Sequence, residues 1–334
     1  MYERAVNYFV TGATGFIGRN LVESLSRRAD LEVHAVRHGR PAYAAPNVVW
    51  HAGDLREAGE VNALVEGMDV VIQAAATSSG SRDIVNSPFI HVTDNAVMNS
   101  LLLRACYEHK VGHFVFFSCS VMYQAREKPW REDEWDASQE MHLNYFGIGW
   151  TKVYIEKMCE FFSRLGVTRH TVIRHTNVFG PHDKFDLERS HVFGASVTKA
   201  MTSAGTVRIW GSGEEARDLL YVSDLVRFVE LALARQERAY EMLHASSGKA
   251  IKVNDIVAQI VQASGRELRI EHDLAGPTIK TSFALDSARA LSVLGWKPEV
   301  PFEEGVRRTV RWWKDVHGGA AAGAGGRRPV PDSD

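Results

Sequence analysis

The chain has 334 residues, 45% of them hydrophobic, enough for a large single domain or a domain with an appended lobe. Its formal net charge of −2 gives no basic field that would argue for a nucleic-acid partner. Its three cysteines, Cys106, Cys119 and Cys159, stand at no metal-ligand spacing, so they read as free thiols in a reducing cytoplasm and no metal is expected.

The opening stretch MYERAVNYFVTGATG enters an apolar strand with no basic and apolar leader ahead of it. No apolar run approaches the length of a membrane span, so a cytoplasmic chain is expected. In chain order, NYFVTG, LEVHAV, DVVIQAAA and HFVFFSCS are short runs rich in Val, Phe and Ile. Between them lie FIGRNLVESLSRRA, EVNALVEG and DNAVMNSLLLRACYEH, with apolar residues at helical spacing. Strands alternating with helices predict a Rossmann-type α/β fold, a doubly wound parallel sheet covered on both faces. A long helix is expected over residues 144–162, then HTVIRHTNVFG as a fifth strand. Beyond it VRIWGSG, RDLLYVSDL and EMLHASSG read as short strands or turns, and VNDIVAQIVQASG and EEGVRRTVRWWKD as helices. The expected division is a dinucleotide-binding domain over 1–175 and a smaller mixed α/β substrate lobe over 176–317, with some chain crossing back. Residues 318–334, low in complexity, read as a disordered tail.

Val10-Thr11-Gly12-Ala13-Thr14-Gly15-Phe16-Ile17-Gly18 lies between the first strand and the first helix. Glycines at 12, 15 and 18 permit a tight turn, close approach of a pyrophosphate to backbone N–H groups, and close helix–strand packing. The helix N-terminus adds a field that favours phosphate. A dinucleotide is the expected cofactor. At the end of the second strand an NAD site usually carries an acidic residue, but here Val36-Arg37-His38-Gly39-Arg40 has none. Arg37, helped by Arg40, suits a 2′-phosphate, which favours NADP(H) with NAD(H) possible. Asp54-Leu55 stands where an aspartate can hold the adenine amino group, or is a simple turn.

TGATGFIG, GDL, VVIQAAA, Asn95, NVFGP and RDLLYVSDL occur in an order that resembles the extended short-chain dehydrogenase/reductases acting on nucleotide sugars, the epimerase/dehydratase family. The resemblance spans residues 7 to about 315 and implies that Gly12, Gly15, Phe16, Ile17, Gly18, Ala74, Ala75, Asn95 and Lys152 line the cofactor. Within the family the chain looks most like the GDP-L-fucose synthases. The residues concerned are 177–185, Ser190-His191-Val192, and Trp210-Gly211-Ser212-Gly213 with Arg217 seven places after the tryptophan. That likeness implies a GDP-sugar contacted by Asn177, Val192, Lys199, Trp210 and Arg217. Trp210 offers a flat face for a purine, and Lys199 and Arg217 can neutralise a diphosphate.

The family's chemistry uses a Ser or Thr and a Tyr-x-x-x-Lys pair one helical turn apart. Taking Lys152 as the retained lysine puts Ile148 in the tyrosine place. The serine place is Cys119, the epimerisation cysteine matches Val121, and its partner histidine matches His191. Lys152 can still bind the nicotinamide ribose. The missing proton carrier is sought among Cys119, Tyr145, Tyr123 and His191, and Tyr145 enters the site only if the helix begins after it. The other histidines read as surface or core residues.

The expected function is epimerisation of a nucleotide-activated sugar, by transient oxidation or by proton exchange next to a ketone. A 4-ketosugar reductase consuming NADPH is the close rival. A 4,6-dehydratase is weaker, because Ser120-Val121 replaces the Asp-Glu pair expected after Cys119. A catalytically inactive cofactor or sugar-nucleotide sensor is the alternative from another class. The resemblance also implies a homodimer formed through two long helices, and specificity set by loops over residues 77–88 and 124–142.

Overall fold

The computed structural model describes residues 5–77, 89–187, 190–276 and 282–318. The expected specificity segment 78–88 and the tail from residue 319 lie outside them. The first half alternates strand and helix. The strands are β1 (Val6–Thr11), β2 (Leu31–Arg37), β3 (Val48–Ala52), β4 (Val70–Gln73), β5 (His113–Phe117) and β6 (Arg169–His175). The helices are α1 (Phe16–Leu25), α2 (Ala58–Val65), α3 (Ile90–Glu108) and α4 (Phe146–Ser163). There follow β7 (Asn177–Phe179), α5 (Val192–Thr202), β8 (Thr206–Trp210), β9 (Ala216–Tyr221), α6 (Val222–Arg235) and β10 (Tyr240–Ala245). The chain ends with β11 (Ala250–Lys252), α7 (Val253–Ser264), β12 (Arg269–Asp273), α8 (Ala288–Leu294) and α9 (Phe302–His317).

Seven strands form one parallel sheet in the order β10-β6-β5-β4-β1-β2-β3. Every residue of β4 and β5 is buried, as expected of strands covered on both faces. One covering layer joins α1, α6 and α8 around Trp296. The other packs Val61, Leu102, Cys106, Ile155 and Cys159 of α2, α3 and α4 against the sheet. The strand order reverses between β1 and β4, which opens a crevice at the carboxyl ends of the strands. All three cysteines are free thiols. No helix among the described residues is long and apolar enough to cross a membrane.

Several segments differ from the reading of the sequence. HTVIRHTNVFG is two strands, because the chain leaves the core sheet at Thr176. The Thr176 N–H donates to the Ala245 carbonyl at 3.1 Å, and its hydroxyl to Asp218 Oδ1 at 3.2 Å. Beyond it β7 pairs with β9, in a small sheet of order β11-β9-β7. EMLHASSG contributes β10, which completes the core sheet beside β6. His191 is the N-cap residue of α5, which starts immediately after it. The chain after residue 175 therefore alternates between the core and the lobe.

A buried polar network binds these parts together. Arg174 and Glu156, each 3% exposed, form a two-pronged pair with Nε–Oε1 at 2.9 Å and Nη2–Oε2 at 2.6 Å. Arg174 Nη1 also donates to the Tyr123 hydroxyl at 2.7 Å, and that hydroxyl lies 2.6 Å from His244 Nε2. The network joins α4, β6, β10 and the strand-end segment at Tyr123. Removing one charge strands the other without a partner. Glu156→Gln is expected to lower stability by about 3–5 kcal/mol, measured by urea unfolding, while the double change of Glu156 and Arg174 to Met recovers much of it. A Glu156→Gln loss below about 1 kcal/mol would contradict this.

Candidate active site

The glycine turn is shaped by contact. Gly12 has φ +60°, and a Cβ there would come within 2.6 Å of the Ala74 carbonyl oxygen. A Cβ on Gly18 would lie 2.1 Å from the Gly12 oxygen, so α1 packs directly on the turn. At Gly15 a Cβ would meet only the Gly12 oxygen, at 3.2 Å, which leaves the side facing the crevice open. No side chain caps α1, and its first turn, which holds Phe16 and Ile17, carries no acidic residue. The field at its N-terminus is therefore available to a pyrophosphate. Opposite, Thr11 Oγ1 accepts the N–H groups of Ala74 and Ala75, both at 3.0 Å, and donates to the Gln73 side chain. Asn95, expected at the cofactor, clamps the next turn by accepting the Thr77 N–H at 3.1 Å and donating to the Thr77 carbonyl at 3.0 Å. This open cradle with an uncapped helix fits a dinucleotide.

Where the sequence places the adenosine, Arg37 and Arg40 are exposed at and beyond the end of β2, around Gly39 at φ +74°. Asp54 is engaged by Arg56, with Nε–Oδ1 at 2.9 Å and Nη2–Oδ2 at 2.7 Å. These hydrogen bonds hold its carboxyl at about 2. Leu55 beside it is buried.

Where the nicotinamide is expected, Lys152 Nζ donates to the Phe117 carbonyl at 2.8 Å and lies 4.7 Å from the centre of the Phe116 ring. Burial lowers its pKa, while Cys119 and Glu156 pull the other way. Cys119 sits beside this ammonium, yet burial dominates and raises its thiol pKa against the opposing pull of Lys152 and the Val121 N–H. The thiol is neutral. Ile148 is half-buried one turn before Lys152.

Helix α4 begins at Phe146, and Tyr145 ends the short 3-10 turn Leu143–Tyr145 that precedes it. The phenol thus turns out of the helix into a cleft lined by Ser120, Val121, Tyr123, His142, Asn177 and Arg217. Burial raises its pKa, with Arg217 opposing and Cys119 adding to the rise. His191 keeps exposed surface at the N-cap of α5, but close neighbours desolvate it and, with Lys184 and Arg217, lower its pKa. Arg217 therefore acts on both Tyr145 and His191. Asn177, the first residue of β7, shares their cleft.

Two other expected substrate residues, Trp210 and Lys199, form a second cluster. Trp210 ends β8 with its indole 48% exposed. Lys199 Nζ lies 5.4 Å from that ring's centre and donates to the Arg208 carbonyl at 2.8 Å. Gly276 packs on the indole so closely that a Cβ there would come within 2.6 Å of it. Val192, the first residue of α5, is half-buried against the lobe's apolar core.

One residue near this centre was not singled out in the sequence. His175 ends β6 and is half-buried, and burial brings its imidazole down to about 4, with Lys152 and His191 adding to the effect. The available signal was its place at the carboxyl end of a parallel strand, where such crevices open.

Residues 8–244 match the NAD dependent epimerase/dehydratase family. Over 314 residues the chain is 27% identical to a dTDP-4-dehydro-6-deoxy-D-allose reductase of a Streptomyces species, covering 91% of this chain and 95% of that protein. It is 26% identical over 311 residues to the GDP-L-fucose synthase of Azorhizobium caulinodans, with coverage of 91% and 95%. The fold is shared with the UDP-glucose 4-epimerase of Thermotoga maritima solved with UDP-glucose, at a TM-score of 0.82 and 24% identity over 93% of this chain and 99% of that one. With the glycine cradle and the parallel sheet behind it, the chain belongs to the NAD dependent epimerase/dehydratase family, the extended short-chain dehydrogenase/reductases that act on nucleotide sugars.

Proposed function

We propose that this protein is a nicotinamide-dependent epimerase of a nucleotide-activated sugar, with a GDP-sugar as substrate and NADP(H) as the favoured cofactor. The observation that carries the reading is the cleft in which Tyr145 lies with Asn177 and Arg217, with the charge of Arg217 reaching His191 as well. Tyr145 carries its proton at pH 7, its pKa raised further by burial, and desolvation of His191 by close neighbours lowers its pKa and favours the neutral ring. Inverting a carbon next to a ketone needs one group that removes a proton and one that returns it. His191 is the base of this pair and Tyr145 the acid. Cys119 is the weaker choice as proton carrier, since desolvation raises the pKa of its half-buried thiol and keeps it neutral.

The nicotinamide, when bound, exchanges hydride with a sugar carbon. Lys152 positions its ribose with the ammonium that Phe117 holds. Arg37 and Arg40 favour a 2′-phosphate, as exposed cations with no carboxylate between them. Trp210 with Lys199 supports a stacked base beside a diphosphate, and Asn177 and Arg217 support the sugar end. The exposed apolar side chains Val97 on α3 and Tyr154 and Phe161 on α4 support a homodimer formed through these two helices.

A 4-ketosugar reductase is the second reading, favoured by the relatedness to the Streptomyces reductase. There Tyr145 delivers its proton to the ketone oxygen. Incubation with GDP-4-ketosugars in deuterium oxide separates the two. An epimerase incorporates solvent deuterium at carbon without net loss of NADPH absorbance, and a reductase consumes NADPH in proportion to product. Neither signal with any GDP-, UDP- or dTDP-sugar would remove the enzyme reading altogether.

Tyr145→Phe is expected to slow turnover by about 10²–10⁴-fold, with dissociation constants for NADP+ and GDP changed by less than about threefold. Retention of more than about a third of the rate would exclude Tyr145 as the acid. Arg37→Ala is expected to raise the KM for NADPH by about 10–100-fold while leaving that for NADH unchanged, as loss of a charge-assisted hydrogen bond requires. Equal effects on both cofactors would sink the preference for NADP(H).

A further inference from the structure

We propose that His175 is an acid–base residue at the nicotinamide end of the site, and that its Nε2 carries the proton of the sugar hydroxyl in place of the phenol that Ile148 lacks. This rests on the function proposed above. It concerns the proton on the reacting oxygen, a different proton from the one that Tyr145 and His191 exchange at carbon.

The geometry begins at Phe117. Its carbonyl oxygen holds Lys152 Nζ at 2.8 Å, and its ring meets the His175 imidazole edge-on, with centres 6.2 Å apart at 65°. Both residues thus touch one strand-end residue, from α4 on one side and from β6 on the other. His175 Nδ1 lies 2.7 Å from the Thr176 carbonyl oxygen. A carbonyl can only accept, so Nδ1 carries the hydrogen. In the neutral ring the lone pair is then on Nε2. Thr176 and Asn177, the next two residues, line the cleft that contains Tyr145 and Arg217. The charged and titratable groups that act on His175 are Lys152 from α4 and His191 from the start of α5.

The chemistry balances without a further reagent. With a nicotinamide bound to take the hydride of the carbinol carbon, Nε2 would take the proton of the hydroxyl: the C–H and O–H bonds would break, a C=O bond would form, and His175 would become an imidazolium. In the reverse direction Nε2–H would return the proton to the oxygen. Burial and the adjacent Lys152 keep the resting ring neutral, with its pKa at about 4, and make the imidazolium a strong donor once formed. Ile148 one turn before Lys152 offers no competing donor.

The test has one arm that needs no turnover. In 15N-histidine-labelled protein, His175, assigned by its loss in His175→Asn, is expected to show the Nδ1–H tautomer at pH 7 and to titrate at least 1.5 pH units below the ordinary histidine value of about 6.5. An Nε2–H tautomer, or a midpoint near the ordinary value, overturns the proposal. In the second arm, His175→Asn is expected to bind NADP+ and GDP within about threefold of wild type, to turn over at least about 100-fold more slowly, and to lose the acid limb of the pH–rate profile. His175→Ala supplied with free imidazole is expected to recover part of the rate. A His175→Asn variant within about fivefold of wild type and with an unchanged profile overturns the role of His175 alone. A wild-type protein inactive on every nucleotide sugar overturns the underlying function and the proposal with it.

Discussion

The site depends on one buried contact, the hydrogen bond between the Lys152 ammonium and the Phe117 carbonyl at the end of β5. A cation taken out of water needs compensation, and here it comes from that carbonyl, the face of Phe116 and the carboxylate of Glu156 one turn further along α4. Glu156 is in turn fixed by Arg174. The charge is therefore set at the mouth of the crevice by the same network that fastens α4 to β6 and β10. Without a phenol at Ile148, nothing in the usual place takes a proton from this lysine's neighbourhood. The candidate carriers come from four separate segments: Tyr145 from the turn before α4, Cys119 from just after β5, His175 from the end of β6 and His191 from the N-cap of α5.

The break at Thr176 is the second constraint. It sends the chain from the core sheet into the small sheet, and so leaves His175 at the end of the core sheet and Asn177 at the start of the small one. Asp218 fixes this corner by accepting the Thr176 hydroxyl, the Ser247 N–H and the Leu285 N–H. A binding crevice between two lobes needs such a hinge point to be rigid, and a buried side chain with several partners supplies it.

Much of the fold was legible in the sequence because its signals are local. Apolar runs of VVIQ and HFVFF type, separated by helical periods, dictate a buried parallel sheet, and the glycine spacing dictates its first turn. Edge strand β3 and the half-exposed β12 carry weaker patterns and raised no strand expectation. The split of HTVIRHTNVFG was hidden because no glycine or proline stands at the bend, and only tertiary partners at Thr176 mark it. In the candidate site, Lys152 and His191 were singled out by motif spacing. Tyr145 was undecided because its role turns on where α4 begins, which differs by a single residue. His175 left no motif at all; its significance comes from Phe117 and Lys152, which are distant in sequence.

The central claim is that a nicotinamide dinucleotide and a guanine-linked sugar meet across Lys152. A crystal structure of the protein soaked with NADP+ and GDP tests it most directly. The account predicts the nicotinamide ribose hydroxyls within hydrogen-bond distance of Lys152 Nζ, about 2.7–3.2 Å, and the guanine stacked on Trp210. A dinucleotide whose ribose lies away from Lys152, or a guanine bound anywhere but the Trp210 indole, would contradict it.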